Sequence, residues 1–164
     1  MTTILAIDPG STESGWVIID ADRRPIRFGK HPNEHLLARI ATDPLLTADR
    51  TVIEMVASYG MAVGAEVFDT CVWIGRYHHA STVRTGIEPE LIKRLPVKVH
   101  HCHSAKANDS NIRQALCDRF ALGETNHGKG TKATPGFFYG FHADVWQAMA
   151  LAVYAADTIE EVAA

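Results

Sequence analysis

Long apolar runs are missing from this chain: none approaches the roughly 20 residues that a membrane-spanning helix needs, so nothing in it points to a bilayer. A basic excess is missing as well. Sixteen Lys and Arg stand against 19 Asp and Glu, for a formal net charge of -3. That balance excludes indiscriminate nucleic-acid binding through a basic coat but leaves room for a local basic track. Cysteine is scarce: Cys71, Cys102 and Cys117 are odd in number and scattered, which argues against a disulfide framework and for reduced thiols in a cytosol. Met1-Thr2-Thr3 lacks the basic stretch and cleavage site of a signal peptide. There is no acidic tail, internal repeat or linker, and residues 1–164 read as one domain large enough to bury a core.

What is present is a series of short apolar stretches. Residues 3–8 read as a buried strand, 15–19 as a second that ends in turn residues, and 25–29 as a third at an edge, where Pro25 and Arg27 are tolerated. The spacing suits an antiparallel meander. Asn33 is then placed to cap a helix carrying Leu36, Leu37 and Ile40, with Glu34 in its first turn. Residues 50–56 return to strand. Val67, Cys71, Ile74 and His78 form a helical stripe over 64–79. Residues 90–95 read as a fifth strand, and 96–104 fit either strand or helical turn. Asn108 or Asp109 caps a helix with Ile112, Ala115, Leu116 and Phe120 on one face. Residues 123–140 read as a long flexible loop, and 142–161 as a strongly apolar helix. The order βββ-α-β-α-β-α-loop-α predicts an α/β fold, a mixed five-stranded sheet with helices on both faces. With the fourth strand beside the first, the first strand lies at the switch point where open α/β sheets bind ligands.

Acids interrupt this pattern in three places. Asp8 ends the first strand just before Pro9-Gly10, Glu54 sits inside Val52-Ile53-Glu54-Met55-Val56, and Asp144 opens the last helix. Each has a plain reading of its own: a turn for Asp8, charge–dipole contact in a first turn for Asp144, a strand residue for Glu54. Neighbouring parallel strands lie about 4.8 Å apart, so Asp8 and Glu54 would aim into one volume and repel unless a cation sits between them. Oxygen ligands of this kind suit Mg²⁺ or Mn²⁺ rather than Zn²⁺.

Ile7-Asp8-Pro9-Gly10 with Gly15, then Ile53-Glu54, then an Asp-containing helix with an Ala-x-Ala-x-Ala run resemble the RuvC-like Holliday junction resolvases of the RNase H superfamily. The phage and prophage branch is the nearer likeness, through Val52 to Met61, Gly64-Ala65-Glu66-Val67-Phe68, Val72-Trp73-Ile74-Gly75-Arg76, Asn111 to Leu116 and Asp144-Val145-Trp146. The resemblance covers nearly the whole chain. It implies an RNase H-like nuclease domain acting as a homodimer in the cytoplasm of a bacterial or phage-infected host cell. It also implies metal-dependent nicking of branched DNA to 5′-phosphate and 3′-hydroxyl ends. Asp8, Glu54 and Asp144 become the ligands of two Mg²⁺ ions per active site, with Mn²⁺ as the substitute. One ion would activate the attacking water and the other would stabilise the leaving oxygen.

The chain departs from that pattern at residue 147. The family commonly has Asp-x-x-Asp on this helix, whereas Asp144-Val145-Trp146-Gln147 ends in an amide. Gln147 could offer a carbonyl oxygen or position a water. Glu66, Asp69 and His142 are the alternatives for that work. Glu66 and Asp69 read equally well as solvated helix residues, and His142 as a proton shuttle or a simple helix start.

A chain with an acidic balance needs local cations to hold DNA. Lys98, Lys106 and Arg113 flank the start of the third helix, and Lys129 and Lys132 lie in the Gly-rich loop; these are the phosphate-contact candidates. Tyr59, just past Glu54, is placed to stack on an unpaired base or to pack as an ordinary loop aromatic. His100-His101-Cys102-His103 lacks the two spaced ligand pairs of a zinc site and reads as surface or DNA-facing. Residues 123–130 approach a P-loop but lack the Ser or Thr after Lys129 and follow a helix. An actin-like ATP-binding fold would need two lobes, for which the chain is too short. A branched-DNA scaffold that binds without cutting is the alternative to the nuclease, and Gln147 keeps it open.

Overall fold

Alternation along the strands decides the architecture. In Ile4–Asp8 (β1), Ile4 and Ala6 face one core cluster and Leu5 and Ile7 the other, and all four are buried. A strand buried on both faces must be covered on both. The computed structural model describes residues 2–163, and the side chains of residues 2–158.

β1 pairs antiparallel with Glu13–Ile19 (β2), which pairs antiparallel with Pro25–Pro32 (β3). On its other side β1 runs parallel to Arg50–Met55 (β4), and β4 runs parallel to Glu90–Lys93 (β5). The order is β3-β2-β1-β4-β5. The expected placement of the fourth strand beside the first is therefore observed, and β1 stands where the direction of the sheet changes. One face carries Asn33–Thr42 (α1) and Ala65–Thr85 (α2), whose Leu36, Ile40, Ile74 and Tyr77 pack on Leu5, Ile7, Trp16, Ile18 and Ile53. The other carries Arg94–Cys102 (α3), Asp109–Phe120 (α4) and Val145–Ala163 (α5) on Ile4, Ala6, Val17, Ile19 and Val52. The result is the mixed five-stranded α/β sheet with helices on both faces that the pattern predicts. No described helix is long and apolar enough to cross a membrane.

Several local expectations are corrected. Pro32, not Asn33, occupies the N-cap of α1, and no side chain caps that end. Asn33 is instead buried, because Ser14 and Tyr77 offer it better hydrogen bonds than a helix end in water does. The buried face of α2 is Thr70, Ile74, Tyr77 and Ser81 rather than the stripe Val67, Cys71, Ile74, His78. Its polar members are satisfied internally: Ser81 donates to Thr51 Oγ1 at 3.2 Å, so polarity no longer marks the exposed side. The fifth strand stops at Lys93, and α3 begins at once, which settles the ambiguous stretch as helix up to Cys102, with His103 as its left-handed C-cap. Asn108 caps α4 in a reciprocal box with Asn111. The Gly-rich segment is pinned rather than free: Phe138 N donates to Gly128 O and Gly136 N to Lys129 O, both at 2.9 Å, while Phe138 and Phe141 are buried against Trp146. Finally, Asp144 precedes α5 instead of lying in its first turn.

Candidate active site

β1 and β4 are in register with Ile7 opposite Ile53, so Asp8 and Glu54 stand side by side at the carboxyl ends of parallel strands. Period two gives both the face of Ile4, Ala6 and Val52, the face covered by α5. Across the other edge of β1, Asp8 pairs with Gly15, and Gly15 with Lys30. Asp144 lies over that row. A Cβ on Gly15 would fall 2.6 Å from the Asp144 carbonyl carbon and 2.8 Å from its Cβ, so only glycine admits the chain there. Lys30 Nζ then reaches Asp144 Oδ2 at 3.0 Å and Glu13 Oε2 at 3.2 Å.

The turn after Asp8 is braced from below. Asn33 Nδ2 donates to Gly10 O at 2.9 Å, and Gly10 N donates to Ser14 Oγ at 3.2 Å. Ser14 Oγ donates to Asn33 Oδ1 at 2.7 Å, and Tyr77 OH donates to the same oxygen at 3.0 Å. Pro9-Gly10 is thus held by a buried network reaching α1 and α2, and Asp8 inherits that rigidity.

The electrostatics are those of a site short of positive charge. Burial, then the Glu54 and Asp144 carboxylates, push Asp8 well above the ordinary carboxylate range, against the pull of Arg94. Among the described residues, no hydrogen bond reaches the Asp8 carboxylate from a side chain or backbone donor. Burial also raises Glu54, while Arg94 opposes the shift. Arg94 Nη1 lies 3.3 and 3.4 Å from the two Glu54 oxygens; Nη2 donates to Gln147 Oε1 at 3.0 Å and pairs with Asp109. Burial disfavours the guanidinium charge, but Glu54, Asp109 and Asp8 more than restore it. Among the described residues no three His, Cys, Asp or Glu side chains close into a ready-made metal cluster, and Arg94 and Lys30 instead hold Glu54 and Asp144. The donor set still fits a hard cation: Asp8 has a carboxylate that accepts no described hydrogen bond, and the Glu54 and Asp144 carboxylates beside it offer only oxygen donors. Asp8, Glu54 and Asp144 would hold such an ion.

No protein-family model and no curated protein matches the chain. Among solved structures, Thermus thermophilus RuvC in complex with a Holliday junction substrate superposes with a TM-score of 0.69 at 13% identity, covering 99% of this chain and 97% of that one. A second structure of Thermus thermophilus RuvC gives 0.66 at 16% identity, covering 97% and 96%. The chain has the RuvC fold. At such low identity the likeness is one of architecture, and what the site does rests on the residues found here.

On this RuvC fold the other candidates are distributed unevenly. Gln147 is buried at the start of α5 and committed to Arg94. A cleft of about 420 Å³ beside Asp144 is lined by Gln147, His142, Asp109, Arg113 and Lys129. His142 is exposed there, its Nδ1 3.1 Å from Gly140 O. Tyr59, 63% exposed, shares a second hollow with Arg94 and Lys98. Lys106 faces a third, with Ser104, Asn111 and Asp118. Lys132 is exposed in the pinned loop, and Glu66 and Asp69 are exposed on α2. His100 and His101 are not DNA-facing: they pack on α5, at 2.6 Å from Asp157 Oδ2 and 2.8 Å from Ala150 O. The amphipathic face of α3 turns them inward. Burial, against the Ala150 hydrogen bond, lowers His101 to about 4.

Sequence reasoning missed Arg94, Asp109 and Lys30. A signal existed for Arg94, which leaves the carboxyl end of β5 as Asp8 leaves that of β1. Placing the strand end at 95 hid it. Asp109 looked like a helix cap, and Lys30 had no local signal because its partner is more than 100 residues away.

Proposed function

We propose that this protein is a structure-selective DNA endonuclease that nicks Holliday junctions or other branched DNA, hydrolysing phosphodiesters to 5′-phosphate and 3′-hydroxyl ends. The observation that carries this reading is the meeting of Asp8, Glu54 and Asp144 at the switch point of a RuvC fold, with Asp8 unpaired. The RuvC structure that holds a Holliday junction substrate supports four-way DNA as the ligand. Asp8, Glu54 and Asp144 would hold divalent ions, Mg²⁺ first and Mn²⁺ second, which would supply activation of the attacking water and relief of charge on the leaving oxygen. The resemblance implies two of them.

The chain's own residues do the rest. The Asn33–Ser14–Tyr77 network fixes the turn behind Asp8, and Gly15 and Lys30 fix Asp144. Arg113, Lys129 and His142 share a cleft with Asp144 and Gln147, and Tyr59 and Lys98 share a hollow with Arg94. A phosphodiester strand laid along the two would meet cations in each, with Lys106 and Lys132 as further phosphate contacts. Tyr59 offers an exposed ring for a base unstacked at the branch. His142 is placed to pass a proton to solvent. Cutting both strands of a four-way junction symmetrically calls for two copies of the site, hence a homodimer; a phage or prophage origin accompanies the likeness of the central segments.

A second reading has its own support. Gln147 is neutral, and Arg94 and Lys30 already compensate Glu54 and Asp144, as suits a scaffold that binds branched DNA without cutting it. One experiment separates them. Wild type and Asp8→Asn are incubated with a labelled four-way junction, with chelator, Mg²⁺ or Mn²⁺. Paired metal-dependent nicks lost in the variant, with binding retained, establish the nuclease. Binding without nicks in any metal establishes the scaffold.

A further inference from the structure

We infer that Arg94 is a built-in cation of this site, taking the place of one divalent ion, so that the acids hold a single metal ion rather than two. The inference rests on the metal-dependent reading above and alters its ion count. Arg94 occupies a bridging position. Its guanidinium touches both oxygens of Glu54 on β4, Gln147 Oε1 on α5 and Asp109 on α4. A cation that joins three elements at the end of a sheet does the spatial work of a bridging metal.

Residue 147 accounts for why the guanidinium can stay. It lies one helical turn from Asp144, where a carboxylate would be a further ligand for a second ion. The amide brings no charge, and its only oxygen is already engaged by Arg94. Gln147 is therefore a positioning residue for Arg94 rather than a metal ligand.

The salt links show where a metal ion has room. Arg94 serves Glu54 and Asp109, and Lys30 serves Asp144 and Glu13. The place left is beside Asp8, the one acid of the set without a donor.

The test counts bound Mn²⁺ on the intact protein by calorimetry and by electron paramagnetic resonance, with thermal midpoints measured in parallel. Wild type is expected to bind one ion per chain, and the Arg94→Gln/Gln147→Asp double variant two. Arg94→Gln alone is expected to melt lower than wild type in chelator and to show a larger Mn²⁺-induced rise, a recovery that a purely structural role would not produce. Two ions on the wild type, or an equal Mn²⁺-induced rise in Arg94→Gln, overturns the inference while leaving the metal-dependent nuclease intact. No bound ion at all overturns both. Should the variants fail to fold, the wild-type count decides alone.

Discussion

Gly15 and Asp144 make a contact that no other residue type at position 15 would allow: the space a Cβ needs is filled by the Asp144 backbone. Gly15 is also the cross-strand partner of Asp8. The missing side chain on β2 thus sets the distance between the first and third acids. Gly15→Ala is expected to cost about 1–3 kcal/mol of stability through overpacking. Junction nicking should fall by at least tenfold in protein that remains folded. Full activity in Gly15→Ala would show that Asp144 does not need this seat.

Asp8 is raised by burial and by the carboxylates beside it, so its charge costs the folded state stability at neutral pH. Asp8→Asn keeps the shape and removes the charge. In chelator the variant should melt a few degrees higher than wild type, at about 2–4 °C per kcal/mol for a chain of this size. It should also lose the stabilisation that Mn²⁺ gives the wild type, along with nicking. A variant that melts lower in chelator would mean that Asp8 is well compensated without metal.

The Asn33 side chain ties Gly10, Ser14 and Tyr77 together in the interior. Asn33→Ala removes the acceptor shared by Ser14 and Tyr77, which keep their 3.1 Å hydrogen bond to each other, and the donor to the half-buried Gly10 O. Chemical denaturation should show a loss of about 1–3 kcal/mol, and nicking should fall as the Asp8 turn loosens. A loss below about 0.5 kcal/mol would place the network outside the stabilising set.

Tyr59 is exposed and makes no described hydrogen bond, so Tyr59→Ala should leave the melting midpoint unchanged. Loss of a stacked base costs about 1–3 kcal/mol, a roughly five- to 150-fold weakening of binding to four-way junctions, with little change for plain duplex. Equal weakening on both DNAs would assign Tyr59 to general binding.

His101 titrates near 4 in the folded chain, below its unfolded value near 6.5. Between these values the unfolded state holds the extra proton, so stability rises with pH across this window. The contribution is complete above about pH 6.5 and is lost as pH falls toward 4. Asp157 acts at lower pH: despite its burial, hydrogen bonds from Arg119, His100 and Arg23 hold it well below the usual range, and its contribution fades only below about pH 4. Urea midpoints of wild type and His101→Asn should therefore converge on acidification from pH 7 to pH 4, the difference shrinking by about 2 kcal/mol after allowance for partial exposure. A constant difference would refute the assignment.

The fold was legible to the extent that it depended on period. Strands with apolar residues on both faces, then the change to helical spacing, required a sheet covered on both sides, and they brought Asp8 and Glu54 to one end of it. Local rules failed where a distant partner outbid them. Asn33 has the composition of a cap, but buried Ser14 and Tyr77 claim its side chain. His100 and His101 look like surface residues, yet α5 provides Asp157 and the Ala150 carbonyl.

Residue order alone therefore specified the strands, their acids and the helix that brings the third. Those features follow from the direction of each Cβ along a strand or helix, which is local. Tertiary packing decided the charge balance of the site: Lys30 reaches Asp144 across Gly15, and Arg94 leaves β5 to join Glu54, Asp109 and Gln147. Electrostatic partners are set by distance in space, and spacing along the chain carries no record of which cation will arrive there.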